Sequence, residues 1–100
     1  MENKTFLYKL YPPRPTFHLD QTEEEGKVMQ EHMKYWAALT AQKTSIVYGP
    51  VFDPNGVYSM AVIEVANNED VLEVANQDPA VSSGVCSYEI IPMQIGMSRN

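Results

Sequence analysis

Between Thr5 and Tyr11 large apolar and aromatic residues crowd together, and the run is cut off by Pro12-Pro13. Such a run with an abrupt proline exit predicts a strand. Further along, Met29, Met33, Trp36 and Thr40 recur at helical spacing, and so do Val28, His32, Tyr35 and Leu39. Together the two series define one broad packed face of a helix from Glu23 to about Gln42, with His32 on or beside that face. Thr22 can accept from an orphan amide, Glu25 stands at the capping-box position, and three successive glutamates suit the positive helix end, so the helix begins there.

Period two returns in Ser45-Ile46-Val47-Tyr48 and again from Val57 to Val65, with Gly49-Pro50, Val51-Phe52 and a turn signal in Asp53-Pro54-Asn55-Gly56 between them. This predicts a hairpin. Asn67-Asn68-Glu69-Asp70 then caps a shorter helix carrying Val71, Leu72, Val74 and Ala75, which ends near Asp78-Pro79 because proline resists continuation. Cys86 to about Met93 forms the last strand. The order is βαββαβ, an α+β ferredoxin-like domain with a four-stranded antiparallel sheet and two helices on one face. The opposite sheet face is left uncovered. Phe6, Tyr8, Val47, Met60, Val62, Tyr88 and Ile90 alternate along the strands and are expected to make much of that face apolar, which suits sheet-on-sheet pairing into a homodimer.

With 100 residues the chain fits a single domain over 1–100, and a domain this small leaves much surface that a second subunit can cover. Seven basic against thirteen acidic residues give a net charge of -6 with no basic cluster, which argues against nucleic acid. No apolar run is long enough to span a membrane, and Met1 to Lys4 has no basic, apolar leader, so a cytoplasmic protein is expected. The lone Cys86 has no partner for an internal disulfide and reads as a buried structural thiol.

Few groups are placed for chemistry. His32 beside the packed helix face reads either as a core-edge histidine satisfied by a carbonyl or as a proton carrier, and the second role needs an orienting partner. Asp78, between the second helix and Pro79, is by itself a turn former. Because both helices lie on one sheet face, the two side chains can meet. A carboxylate against the imidazole would then fix its tautomer and leave a general acid or base near neutral pH. No nucleophile elbow accompanies the pair, so acyl-enzyme chemistry is not expected. From Pro12 to about Gln21 the chain should form a semi-rigid proline loop. Arg14 within it could grip an anionic substrate, or simply be solvated. His18 and Asp20 lack convincing metal-ligand spacing, so no metal is expected. Tyr8 and Tyr48 could line an aromatic-friendly substrate pocket, or only pack.

Taken together, Gln30-Glu31-His32-Met33-Lys34-Tyr35-Trp36, Gly49-Pro50-Val51, Gly56 and Asp78-Pro79 resemble the YCII-related (YciI-like) family over nearly the whole chain. Arg14-Pro15-Thr16-Phe17 with Asp20-Gln21-Thr22 and Glu25 is similar to a branch with an extended segment before the first helix. The resemblance implies a ferredoxin-like subunit that pairs into a dimeric α+β barrel, and a candidate active site on His32 and Asp78. It also implies activity on small aromatic compounds, including halide elimination from a substituted ring. Lys43 departs from the pattern, standing where the family often has glycine. The expectation is a cofactor-independent, lyase- or hydrolase-like proton-transfer enzyme acting on a small aromatic or anionic molecule, with Arg14, Tyr48 and Tyr8 holding it. The alternative is a non-catalytic homodimer that binds a metabolite or serves assembly.

Overall fold

The computed structural model describes residues 3–99; Met1, Glu2 and Asn100, which the expected domain over 1–100 includes, lie outside the described residues. The strands are β1 (Lys4–Tyr11), β2 (Ser45–Asp53), β3 (Gly56–Val65) and β4 (Ser87–Met93). They form one antiparallel sheet in the order β2-β3-β1-β4, the arrangement expected of a ferredoxin-like α+β chain. Two long helices, α2 (Glu23–Ala41) and α3 (Asn68–Gln77), accompany two single turns, α1 (Phe17–Asp20) and α4 (Pro79–Ser82).

Period-two alternation says that neighbours along a strand point to opposite faces, and register decides which set meets the helices. Phe6 pairs with Ile63 and Tyr8 with Ala61 and Ile90, and Phe6, Tyr8, Leu10, Ala61 and Ile63 are buried in one core with Trp36, Val71 and Ala75. Phe6, Tyr8, Tyr88 and Ile90 therefore pack on the helix side, a correction to their expected place on the open face. That face keeps Val47, Met60 and Val62. Val47 pairs with Val62, Val62 with Leu7 and Leu7 with Ile91, so one apolar row crosses every strand of the sheet.

α2 begins as expected. The Thr22 hydroxyl accepts from the Glu25 amide and the Glu25 carboxylate accepts from the Thr22 amide. At the other end the Thr44 amide donates to Leu39 O and the Lys43 amide to Thr40 O, the paired bonds of a Schellman cap. This cap needs a left-handed residue, and Lys43 supplies it at φ 70°, against the ordinary steric preference of a residue with a Cβ. Helical spacing placed Met33 on the packed face, yet it is 60% exposed. The segment expected to be a proline loop contains the α1 turn, because Phe17 is buried and anchors it.

Candidate functional site

Asp78 ends α3 and caps α4, and its side chain is wholly buried. Proline at the first helical position and Asp immediately before it form a ready helix start, since the cap accepts from an amide that would otherwise be orphaned. Here Oδ1 accepts from the Ala80 amide at 2.9 Å. The same carboxylate accepts from the Trp36 indole N–H at 2.8 Å and the Tyr8 hydroxyl at 2.8 Å, both at Oδ2. His32 Nδ1 lies 2.9 and 3.0 Å from its two oxygens.

Burial pushes the Asp78 carboxyl pKa up, but the hydrogen bond and positive charge of His32, with the bonds from Trp36 and the Ala80 amide, outweigh it and hold the group below its ordinary range. A carboxylate with no proton can only accept, so Nδ1 of His32 must be the donor. The proton of neutral imidazole then sits on Nδ1 and Nε2 keeps its lone pair. Among the described residues Nε2 has no hydrogen-bond partner.

His32 and Trp36 are one helical turn apart on α2, which is why both reach one carboxylate. Tyr8 meets them from β1, its ring 4.9 Å from that of Trp36. Burial raises the Tyr8 hydroxyl pKa far above its ordinary value, with the Asp78 charge and hydrogen bond adding to it, so Tyr8 remains a proton-bearing donor.

His32, Tyr8 and Tyr48 line one cleft of about 430 Å³, with Met29, Met33 and Trp36 from α2 and Pro50 from β2. The structure thus brings together four of the five residues singled out in the sequence: His32, Asp78, Tyr8 and Tyr48. Arg14 is elsewhere. Its guanidinium makes a two-pronged pair with Glu25 at 2.8 and 2.9 Å, while Nε donates to Asp20 at 2.9 Å and Nη2 to the Asp20 carbonyl. It does not line the cleft, so its expected grip on a substrate is replaced by a brace between α1 and the start of α2. Hydrogen bonds from Arg14 and the Thr22 amide hold the Glu25 carboxyl at about 2. The Thr16 hydroxyl, followed by Arg14, lowers Asp20.

Trp36 as a donor to Asp78, and Tyr8 as a second one, were not legible as such; the only sequence signal was the four-residue spacing of His32 and Trp36. Cys86 is half-buried, and burial first, then the charges of Asp78 and Glu25, push its thiol up to about 11, which leaves it protonated at neutral pH and a poor nucleophile. His18, exposed on α1, lines a smaller pocket than the one at His32. Among the described residues no group of three His, Cys, Asp or Glu gathers as a metal site, and no helix is long and apolar enough to cross a membrane.

The chain is thus an antiparallel α+β domain in which a buried aspartate holds a histidine beside an apolar cleft. A model of the YCII-related domain matches residues 8–94, and the chain belongs to that family. Among solved structures, uncharacterized protein TM1266 from Thermotoga maritima is similar in fold, at a TM-score of 0.54 and 7% sequence identity over 94% of this chain and 100% of that one. No curated protein matches the chain.

Asp78→Asn sets an amide NH2 among groups that all donate, and it should lower stability by about 2–4 kcal/mol in urea unfolding. Because the folded Asp78 carboxyl titrates below its ordinary value of 3.8, its contribution is fully present above that pH and is lost as pH falls through the folded value. The acid-side slope of wild-type stability should therefore be steeper than that of Asp78→Asn; identical slopes would contradict the assignment.

Proposed function

We propose that this chain is a cofactor-independent proton-transfer enzyme that holds a small aromatic molecule in the cleft beside His32 and exchanges a proton with it at His32 Nε2. The observation that carries the reading is the Nδ1 hydrogen bond to Asp78, which leaves the opposite ring nitrogen free at the wall of an apolar cleft. Tyr48 offers a partly exposed ring, the buried rings of Tyr8 and Trp36 back the wall behind it, and Met29 and Met33 offer polarizable contacts that adapt to ligand shape. No Lys or Arg lines the cleft, so a neutral ring with an acidic hydroxyl suits it better than an anion. On a halogenated ring with two hydroxyls, moving the proton of one to the halogen-bearing carbon gives a keto form, which loses the halide together with the second hydroxyl's proton to leave a quinone and HX; this is the lyase-like chemistry implied by the family resemblance.

A second reading has its own support. Asp78 gathers helix cap, indole and phenol as well as His32, which is what a structural polar centre in a metabolite-binding module would also do. 4-Nitrophenol separates the two, because its phenolate absorbs visible light and its phenol does not. Wild-type protein should bind it saturably and raise its phenolate-to-phenol ratio about tenfold, through a charge-assisted hydrogen bond to the imidazolium. His32→Gln should bind it without that rise. Equal ionisation in the two proteins overturns proton transfer in favour of the binding module, and no saturable binding at millimolar probe overturns the cleft reading.

The same reading includes a homodimer joined through the open sheet face, supported by the apolar row Val47, Val62, Leu7 and Ile91. Sedimentation at micromolar concentration should find two chains per particle. A single-chain particle would contradict it.

A further inference from the structure

The cleft beside His32 continues past its apolar walls. Gln21, Met29, Pro50 and Ser59 line both that cleft and a smaller pocket of about 150 Å³, so the two spaces adjoin. The smaller pocket lies beside α1. Leu10 of β1 and Phe17 of α1 line it and are both buried, and Val57 of β3 and Cys86, just ahead of β4, complete its apolar side. These side chains carry no charge at neutral pH, the Cys86 thiol included, since burial keeps it protonated.

The wall at Phe17 is held from behind. The Arg14 guanidinium carbon lies 5.3 Å from the Phe17 ring centroid, and the same guanidinium is tied to Asp20 of α1 and Glu25 of α2. Arg14 and Glu25 are therefore part of what holds the Phe17 wall in place. His18 of α1 and Tyr58 of β3 stand at the pocket's polar rim, and the apolar floor beneath them adjoins the cleft, where it can receive the apolar end of what the cleft holds. Apolar space of this order takes a group up to about the size of benzene.

We infer that the molecule acted on has two parts, an ionisable ring held against His32 and a short apolar arm of about three carbons that enters the pocket beside Phe17, Val57 and Cys86. This rests on the reading of the His32 cleft proposed above and adds the substrate's shape. The arm selects among ring compounds without touching the reacting atoms, because each buried methylene strengthens binding by about fourfold. Gln21 and Ser59, at the junction of the two spaces, are the polar groups nearest the point where arm and ring join.

Phenol and 4-propylphenol test the arm by NMR titration of the full chain. In the wild type, 4-propylphenol should bind more tightly, by up to about 60-fold for three buried methylenes. Val57→Phe fills the pocket from β3, and Cys86→Leu fills it from the segment before β4; in either variant the ratio of the two affinities should fall toward one. A wild-type ratio near one, or a ratio that stays high in both filled variants, overturns the arm pocket while phenol binding keeps the His32 reading in place. Failure of the wild type to bind phenol at all overturns the cleft reading itself, and the arm with it.

Discussion

One buried carboxylate organises this molecule. Asp78 lies with no exposed surface where β1, α2 and the α3–α4 junction converge, and a charge removed from water is tolerated only when its lone pairs are filled. Here they are filled from every side: Tyr8 from the sheet, His32 and Trp36 from the long helix, and Ala80 from the turn that Asp78 itself caps. The donors belong to β1, α2 and α4, so the carboxylate sets where helix and sheet stand relative to one another. It also dictates which nitrogen of His32 carries the proton. The packing of the fold and the tautomer of His32 depend here on the same atoms, and changes at Asp78 therefore act on both.

The second ionic centre sits on the surface and has a different role. Asp20 is exposed and Arg14 and Glu25 are partly exposed, and ion pairs within reach of water contribute little to global stability. Their effect is local. The two-pronged contact with Glu25 fixes the guanidinium plane, and Glu25 is itself fixed by the capping box at the start of α2. A turn of only four residues, which could not hold its shape alone, is thereby pinned to the start of α2.

How much of this was legible in the chain can be read from particular residues. The 3.6-residue spacing from Val28 to Thr40 and the capping pattern at Thr22 are local signals, and α2 stands where they place it. Alternation in β1 was equally plain, but alternation has no sign. It could not say that Phe6 and Tyr8, rather than Leu7 and Lys9, meet the helices, because that depends on pairing with β3 some fifty residues away. His32 and Asp78 were recognisable as partners from helix placement and from the family resemblance together. Trp36 and Tyr8 as further donors to Asp78 were not, since nothing in their own surroundings marks them as more than core. The partners of Arg14 were hidden for the same reason. Its role is decided by Glu25, eleven residues on and across a turn whose existence rests on the burial of Phe17. The Lys43 departure, by contrast, was visible at once, and the backbone accepts it by placing a lysine in the left-handed region at the end of α2.

The central claim is that Asp78 holds His32 with its proton on Nδ1 and its lone pair on Nε2 at the cleft. Nitrogen-15 NMR of the imidazole rings distinguishes the two neutral tautomers directly, because protonated and unprotonated ring nitrogens resonate far apart. The account predicts that neutral His32 is the Nδ1–H tautomer, with the other nitrogen unprotonated. Finding the proton on Nε2 would contradict it, since Nδ1 would then face the carboxylate with a lone pair and nothing would hold the ring for proton transfer.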